Sequence, residues 1–257
     1  MLDFLKTDLS EIQELIDIHE VIQGEGKYAG IPHILIRMSG CNLNCQFKDW
    51  LCDTAYASWK AEDGQYSLLE IINFIEEYPQ IRHTMITGGE PTYNPELLVN
   101  LCQILKAYGH HITIETNGTL FVPTVADFLS ISPKLKNSTP RPGTMLPDTL
   151  VAREVTSGDR DRHELSRVNY RNTKNMIDYH SDYQLKFVIS DESQFYEIEK
   201  IQLELGIPND KIYFMPEGVT NEQLSKRRIF VIEEAIKRGY NYTDRLHIVA
   251  YGDKRIS

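Results

Sequence analysis

Three of the chain's four cysteines fall within twelve positions, in "CNLNCQFKDWLCDT" (41–54). Cys41, Cys45 and Cys52 are spaced C-x3-C-x6-C, and Cys102 lies apart from them. Thiols this close together bind metal, do redox chemistry or simply share a core. A structural zinc site takes four ligands, commonly as two close pairs. Here there are three thiols, no C-x2-C pair, and none of the eight histidines lies in the loop. A [4Fe–4S] cluster takes one thiolate per iron, so three thiols would leave one iron open to an outside ligand, which is a catalytic arrangement. Spacing alone leaves three readings standing: an open cluster, zinc with a distant ligand, or plain buried thiols.

Other residues near these thiols also suit chemistry. Arg37 stands four positions before Cys41 in the apolar run "IPHILIRM" (31–38). A cation there is costly to bury without an anion, and a carboxylate held in a bidentate fork would suit it. "IQGEG" (22–26) sets Gln23 and Glu25 between glycines that allow close backbone approach to a ligand; its bland reading is a turn between two strands. Thr54, two residues after Cys52, reads as a helix N-cap. Cys102 falls on the apolar face of a helical stretch and reads as a small buried hydrophobe.

The elements that must position these residues alternate regularly. Strand-like runs occur at 31–38, 81–87, 111–116, 127–132, 183–189, 211–215 and 245–251. Helical spacing fills 67–78, 94–109, 166–180, 191–206 and 220–239. Asn94 is placed to cap its helix, with Pro95 at the first helical position and Gly109 at the end; glycines also end the last two helices. Such alternation predicts a parallel sheet with right-handed crossovers, either doubly wound or a complete or partial barrel. The stretch 135–167, rich in Pro, Thr, Arg and Asp, fits neither period and reads as an insertion loop after the fourth strand of a single domain, 1–257. The cysteine loop follows the first strand, "TGGEPT" (87–92) ends the second and "ETNGT" (115–119) the third. "SPK" (132–134) ends the fourth and "MPEG" (215–218) the sixth. Carboxyl ends of strands are where parallel α/β folds build sites.

Composition narrows the partners. With 37 acidic against 27 basic residues the net charge is −10, whereas proteins that grip nucleic acid carry a basic stripe. The nearest thing, "KLKNSTPRPGT" (134–144), reads as a solvated loop, so no nucleic-acid partner is expected. No run of about 18 apolar residues occurs, so no membrane span is expected. The acidic N-terminal stretch lacks the basic and apolar regions of a secretory signal, and a cytoplasmic protein is expected.

Over nearly its whole length the chain resembles the 7-carboxy-7-deazaguanine synthase family of the radical S-adenosylmethionine (SAM) superfamily. The resemblance is carried by "VIQGEGKYAGIPHILIRMSGCNLNC", "CDT", "TGGEPT", "ETNGT", "SPKL", "QLKFVI" and "MPEG". The superfamily's usual spacing is C-x3-C-x2-C with an aromatic residue before the last cysteine. Here four extra residues precede Cys52 and Leu51 takes the aromatic place; the family includes members with expanded cysteine loops.

The resemblance implies a partial (β/α)6-type barrel and a [4Fe–4S] cluster on Cys41, Cys45 and Cys52, with SAM on the fourth iron. It implies SAM contacts at Gly89, Glu90, Asn117, Gly118, Ser132, Pro133 and Lys134. Substrate would meet Ile22, Gln23, Gly24, Glu25 and Thr87, with its carboxylate on Arg37, and Mg²⁺ would be ligated by Thr54. The implied enzyme is a carbon–nitrogen lyase converting a pterin, 6-carboxy-5,6,7,8-tetrahydropterin, to 7-carboxy-7-deazaguanine and ammonia, towards queuosine-type tRNA modification. A homodimer and an unidentified electron donor are implied as well. A radical SAM enzyme that activates a partner protein would share the thiols and "TGGEP" but have no use for "IQGEG" and Arg37. A non-catalytic zinc module would need a fourth ligand.

Overall fold

The computed structural model describes residues 8–48, 50–146 and 153–252. Its frame is an eight-stranded sheet. In chain order the strands are β1 (Leu15–Ile22), β2 (Pro32–Met38), β3 (His83–Gly88), β4 (His111–Thr116), β5 (Phe128–Ile131), β6 (Tyr183–Ile189), β7 (Ile212–Pro216) and β8 (Asn241–Tyr242). Their order in space is their order in sequence, and every neighbouring pair is parallel except β1 with β2. Right-handed crossovers that always step the same way put every helix on one face. A doubly wound sheet instead reverses direction at a switch point, and no reversal occurs here. The other face turns in on itself, which gives the partial barrel; among the described residues β1 and β8 are not paired to each other.

The helices are α1 (Ala55–Ser58), α2 (Leu68–Glu77), α3 (Pro95–Ala107), α4 (Ser157–Ser166), α5 (Tyr170–Tyr179), α6 (Phe195–Leu205), α7 (Asn221–Arg238) and α8 (Leu246–Tyr251). Local chemistry fixes their ends. The Ser67 N–H donates to Glu70 Oε2 at 2.7 Å while the Glu70 N–H returns to Ser67 Oγ, a capping box that starts α2. Asn94 caps α3, and Gly206 and Gly239, both left-handed, end α6 and α7.

Strand alternation divides the sheet into two environments. Ile34, Ile36 and Met38 of β2, Ile112 and Ile114 of β4, and Leu185, Phe187 and Ile189 of β6 join one apolar core with the helices. Truncating one of these fully buried side chains to alanine costs about 2–5 kcal/mol. Their alternates, such as Leu35 and Arg37, Met85 and Thr87, Lys186 and Val188, line the barrel interior instead.

Two expectations need correction. Residues 245–251 are not a strand: after the short β8, Leu246–Tyr251 form helix α8. A short apolar run suits either period, and the place beside β7 is already taken by Tyr242 opposite Phe214. The 135–167 insertion is not loop throughout, since it contains α4, started by a Thr156–Asp159 capping box. With Asp159 and His163 as its only buried residues, α4 has no apolar stripe to reveal it. Strand β1, which sequence reading left unassigned, adds the antiparallel edge.

Candidate active site

At the carboxyl ends of the parallel strands the interior opens into a cavity of about 540 Å³. Cys41, Cys45 and Cys52 all border it, and none is in a disulfide. The lengthened loop brings its third thiol back by folding as a hairpin. The Cys52 N–H donates to the Cys45 carbonyl at 3.1 Å, Gln46 bridges Leu51, and the Phe47 N–H meets the Trp50 carbonyl at 2.9 Å. The two cysteines thus stand side by side at the hairpin's base. The Trp59 indole N–H anchors that base on the Cys45 carbonyl at 2.8 Å. Leu51 turns away into a small second core with Ala55, Trp59, Leu146 and Val155. The aromatic surface beside the thiols comes from Phe47 and Trp50, whose rings stack at 6.1 Å.

Electrostatics at the thiols favour an added cation. Burial, then the Glu90 carboxylate, pushes the Cys41 thiol up to about 12. Burial and the neighbouring Cys52 raise Cys45 well above the ordinary thiol value, and burial and Asp53 raise Cys52. Lys134 pulls all three down but is one charge against three. Three thiolates become tolerable here when positive metal centres join them, so the donor set fits an iron–sulfur cluster. Among the described residues no three His, Cys, Asp or Glu side chains converge as ligands of one metal ion; thiolates of a cluster each bind a different iron.

The "TGGEP" turn locks this loop to the sheet. A Cβ on Gly89 would lie 2.2 Å from the Ala57 carbonyl oxygen and 2.3 Å from that of Gly40, so only glycine fits. Glu90, 1% exposed, accepts from Thr92 N at 3.1 Å, Thr92 Oγ1 at 2.6 Å, Thr116 Oγ1 at 2.7 Å and Asn117 N at 2.6 Å. Its carboxylate is engaged by protein donors and ties the end of β3 to the end of β4. Asn117 Nδ2 in turn donates to Asn42 Oδ1 at 3.0 Å, inside the cysteine loop. Ser132 and Lys134 border the cavity, with Lys134 Nζ 3.1 Å from Ser132 Oγ. Gly118 does not reach it, and Pro133 borders a small neighbouring hollow instead.

Ile22, Gln23, Gly24 and Glu25 also border the cavity, but they enter from the amino ends, where Ile22 of β1 pairs with Pro32 of β2. The turn then crosses towards the far edge of the sheet: Gly26 N–H donates to Thr243 Oγ1 at 2.7 Å and Lys27 N–H to Gln184 Oε1 at 2.8 Å. Gly26 has φ +71°, and a Cβ there would strike Gln184 at 2.1 Å. The turn forms the cavity floor and presents Glu25 upward to Lys186 and Arg245, whose Nε lies 2.9 Å from Glu25 Oε1. Burial would raise the Glu25 carboxyl, but Lys186, Arg245 and His247 together hold it well below the usual carboxylate range. Arg245 also donates to the Gly218 carbonyl at 2.7 Å and to Asp53, next to Cys52. Burial lowers its pKa; Asp53 and Glu25 more than restore it.

Arg37 has the anion that burial demands, though it comes from β1: its Nε donates to Asp17 Oδ2 at 2.8 Å, and the Tyr56 hydroxyl joins the same oxygen at 3.3 Å. Thr87 is its register neighbour on β3. Thr54 occupies the N-cap position of α1 but makes no capping bond; its hydroxyl lies 3.4 Å from Cys52 Sγ. Sequence reading missed Lys186, Arg245, Asp53, Glu115 and Asp17. Lys186 carried the same signal as Arg37, a cation within an apolar strand; Arg245 carried none once its segment was read as a strand.

Comparison with known proteins agrees with this geometry. Residues 35–133 match the radical SAM superfamily. The chain is 37% identical over 241 residues to a 7-carboxy-7-deazaguanine synthase of Halobacterium salinarum, covering 90% of this chain and 88% of that protein. It is 35% identical over 237 residues to one of Rhodopirellula baltica, covering 91% and 84%. Among solved structures it is similar in fold to QueE from Escherichia coli, with a TM-score of 0.58 at 18% identity over 90% of this chain and 92% of that one.

Proposed function

This chain belongs to the 7-carboxy-7-deazaguanine synthase family of radical SAM enzymes, and from that premise we propose that it converts 6-carboxy-5,6,7,8-tetrahydropterin to 7-carboxy-7-deazaguanine with release of ammonia. The family implies a [4Fe–4S] cluster and SAM. When bound, these supply the one-electron chemistry that begins by removing a substrate hydrogen. The protein's part is to hold, orient and exclude water.

Cys41, Cys45 and Cys52 would hold three irons, with Lys134 offsetting part of the thiolate charge. Gly89, Asn117 and Ser132 would frame SAM, and Glu90 acts by fixing the loops that frame it. Gln23 and Glu25 on the floor would meet the polar edge of the pterin. Arg37, engaged with Asp17 only through Nε, keeps its Nη groups for the substrate carboxylate. Thr54, whose hydroxyl caps nothing, would contribute an oxygen ligand to Mg²⁺. Four free thiols suit the reducing cytoplasm in which we place the enzyme, as a homodimer supplied by an electron donor yet to be identified.

The observation that carries this reading is that one cavity joins the three thiols to the buried Glu25–Lys186–Arg245 group. Anaerobic reconstitution should give about four irons per chain and broad absorption near about 400 nm. With reductant, SAM, Mg²⁺ and the carboxytetrahydropterin, the deazaguanine should accumulate. Cleavage of SAM without that product would overturn the substrate assignment.

A further inference from the structure

The two ways this sequence departs from a plain strand–helix pattern, the four extra residues before Cys52 and the 135–167 insertion, pack against each other. The Gln46 N–H donates to the Ser138 carbonyl at 2.8 Å, and the Arg141 N–H to Gln46 Oε1 at 2.6 Å. Arg141 Nη2 then donates to the Phe47 carbonyl at 2.7 Å and the Lys48 carbonyl at 2.9 Å. The described parts of the insertion, 135–146 and 153–167, are themselves firmly held. Thr144 and Leu146 pair with Val155 and Arg153, at 2.8 and 2.9 Å. Ser138 Oγ lies 3.1 Å from His163 Nε2 on α4, and Asp159 of α4 accepts from Arg153 at 2.7 and 3.1 Å. Leu146 and Val155 pack with Ala55 and Trp59 against Leu51 and Cys52.

We propose that the insertion is the brace of the lengthened cysteine loop, with Arg141 as the positioning residue that sets where Cys52 stands. The hairpin's own ties are the Cys52–Cys45 and Phe47–Trp50 bonds and the Gln46–Leu51 bridge, and near its tip the Arg227 guanidinium lies 5.9 Å over the Trp50 ring. Arg141 fixes that tip from outside by gripping two successive carbonyls with one planar nitrogen group, a role lysine's single point charge fills poorly. A chain with the shorter spacing would have no hairpin to hold. The proposal rests on the cluster reading only for its purpose; the brace exists in the protein alone.

The test is therefore made first on metal-free, reduced protein. Alkylation of each cysteine by iodoacetamide is followed by peptide mass spectrometry, with Cys102 in the core as internal reference. Arg141→Ala should speed Cys52 alkylation roughly tenfold, through more frequent local opening, and leave Cys102 unchanged. Arg141→Lys should fall between, and it decides the matter alone should the alanine variant fail to fold. Arg160→Ala, which removes an exposed pairing with Asp161 on the same insertion, should match wild type. After reconstitution, Arg141→Ala should hold fewer irons per chain and show an altered electron paramagnetic resonance signal. Wild-type Cys52 reactivity in both Arg141 variants, at unchanged circular dichroism, would overturn the brace. A wild-type protein that takes up no cluster would overturn the functional reading instead, leaving the alkylation result standing.

Discussion

At its cavity end the barrel interior buries Glu25, Lys186 and Arg245 as ions; at the amino ends of the strands it sets His33, His83 and His111 in a row, with His33 fully buried. The upper group has both signs of charge, and each member touches an opposite one. The lower group has one kind of base, set in a row on β2, β3 and β4, with ring centroids 5.1 and 4.7 Å apart. Tyr28 covers the row, 5.0 Å from His111, with Phe128 beyond it. Burial first, and then the neighbouring His83 and His111, bring His33 down to about 4. Burial likewise lowers His83, which faces a second ring in His111 and, in partial offset, the Asp127 carboxylate. The interior keeps ions where opposite charges meet them and holds His33 and His83 against protonation where burial prevails.

The largest effect should come from breaking the upper pairing. Lys186→Met leaves Glu115 without its ammonium and Glu25 with Arg245 alone, and breaking such a buried pairing costs up to about 3–5 kcal/mol. Urea unfolding near neutral pH should show that loss, and product formation should drop by two or more orders of magnitude. A stability change below about 1 kcal/mol would mean that the carboxylates are not held by this lysine.

The lower row should show itself through pH. His33 takes up its proton near 6.5 when unfolded and about 4 when folded. Stability is therefore complete above pH 6.5 and falls as the pH drops towards 4, by at most about 3 kcal/mol for this one group. His33→Phe should flatten thermal stability between pH 6.5 and 4 by that amount, less about 1 kcal/mol at all pH values for the lost bond to the Ile31 carbonyl. Glu25, held well below the ordinary carboxylate range, should contribute little in this window. An unchanged slope in His33→Phe would locate the acid sensitivity elsewhere.

How much of this was legible depends on whether a feature is local. The parallel strands and α2, α3, α6 and α7 announce themselves through period and caps, and the thiols through spacing. Strand order in space is not written in any one segment, so periodicity left barrel and doubly wound sheet equivalent; the family resemblance pointed to the partial barrel, and the pairing agrees with it. The inward alternates were half legible: Arg37 and Lys186 each interrupt an apolar run, and only Arg37 was used. Arg245 was hidden because "RLHIVAY" alternates like a strand while forming α8, and its partners Glu25 and Asp53 are far away in sequence. The capping box of α4 was legible, but without an apolar stripe it had no helix to begin.

A smaller effect separates contact from conformation at the upper end. Gly89→Ala introduces a methyl against the Ala57 and Gly40 carbonyls, and such overpacking costs about 1–3 kcal/mol. Because those carbonyls belong to the two ends of the cysteine loop, iron uptake should fall further than stability does. Iron content measured alongside thermal unfolding checks this, and an equal, proportionate loss would mean that Gly89 serves the fold alone.

The smallest effect should come from Cys102→Ala, and it sharpens the comparison most economically. Burial pushes the thiols of Cys41 and Cys102 alike up to about 12. What differs is their company. Cys41 has Glu90, Cys52 and Lys134 within electrostatic reach, and it faces the cavity. Cys102 lies in α3 among Leu98, Leu101 and Leu105, in the core shared by the sheet and its helices. Removing its sulfur should cost about 1 kcal/mol, as for one methylene taken from a core, and leave the iron content at the wild-type value. Cys41→Ala should do the reverse, changing the metal-free protein's stability little while abolishing cluster uptake. Iron loss in Cys102→Ala would show that shared charge and a place on the cavity have been misjudged as the marks of the site.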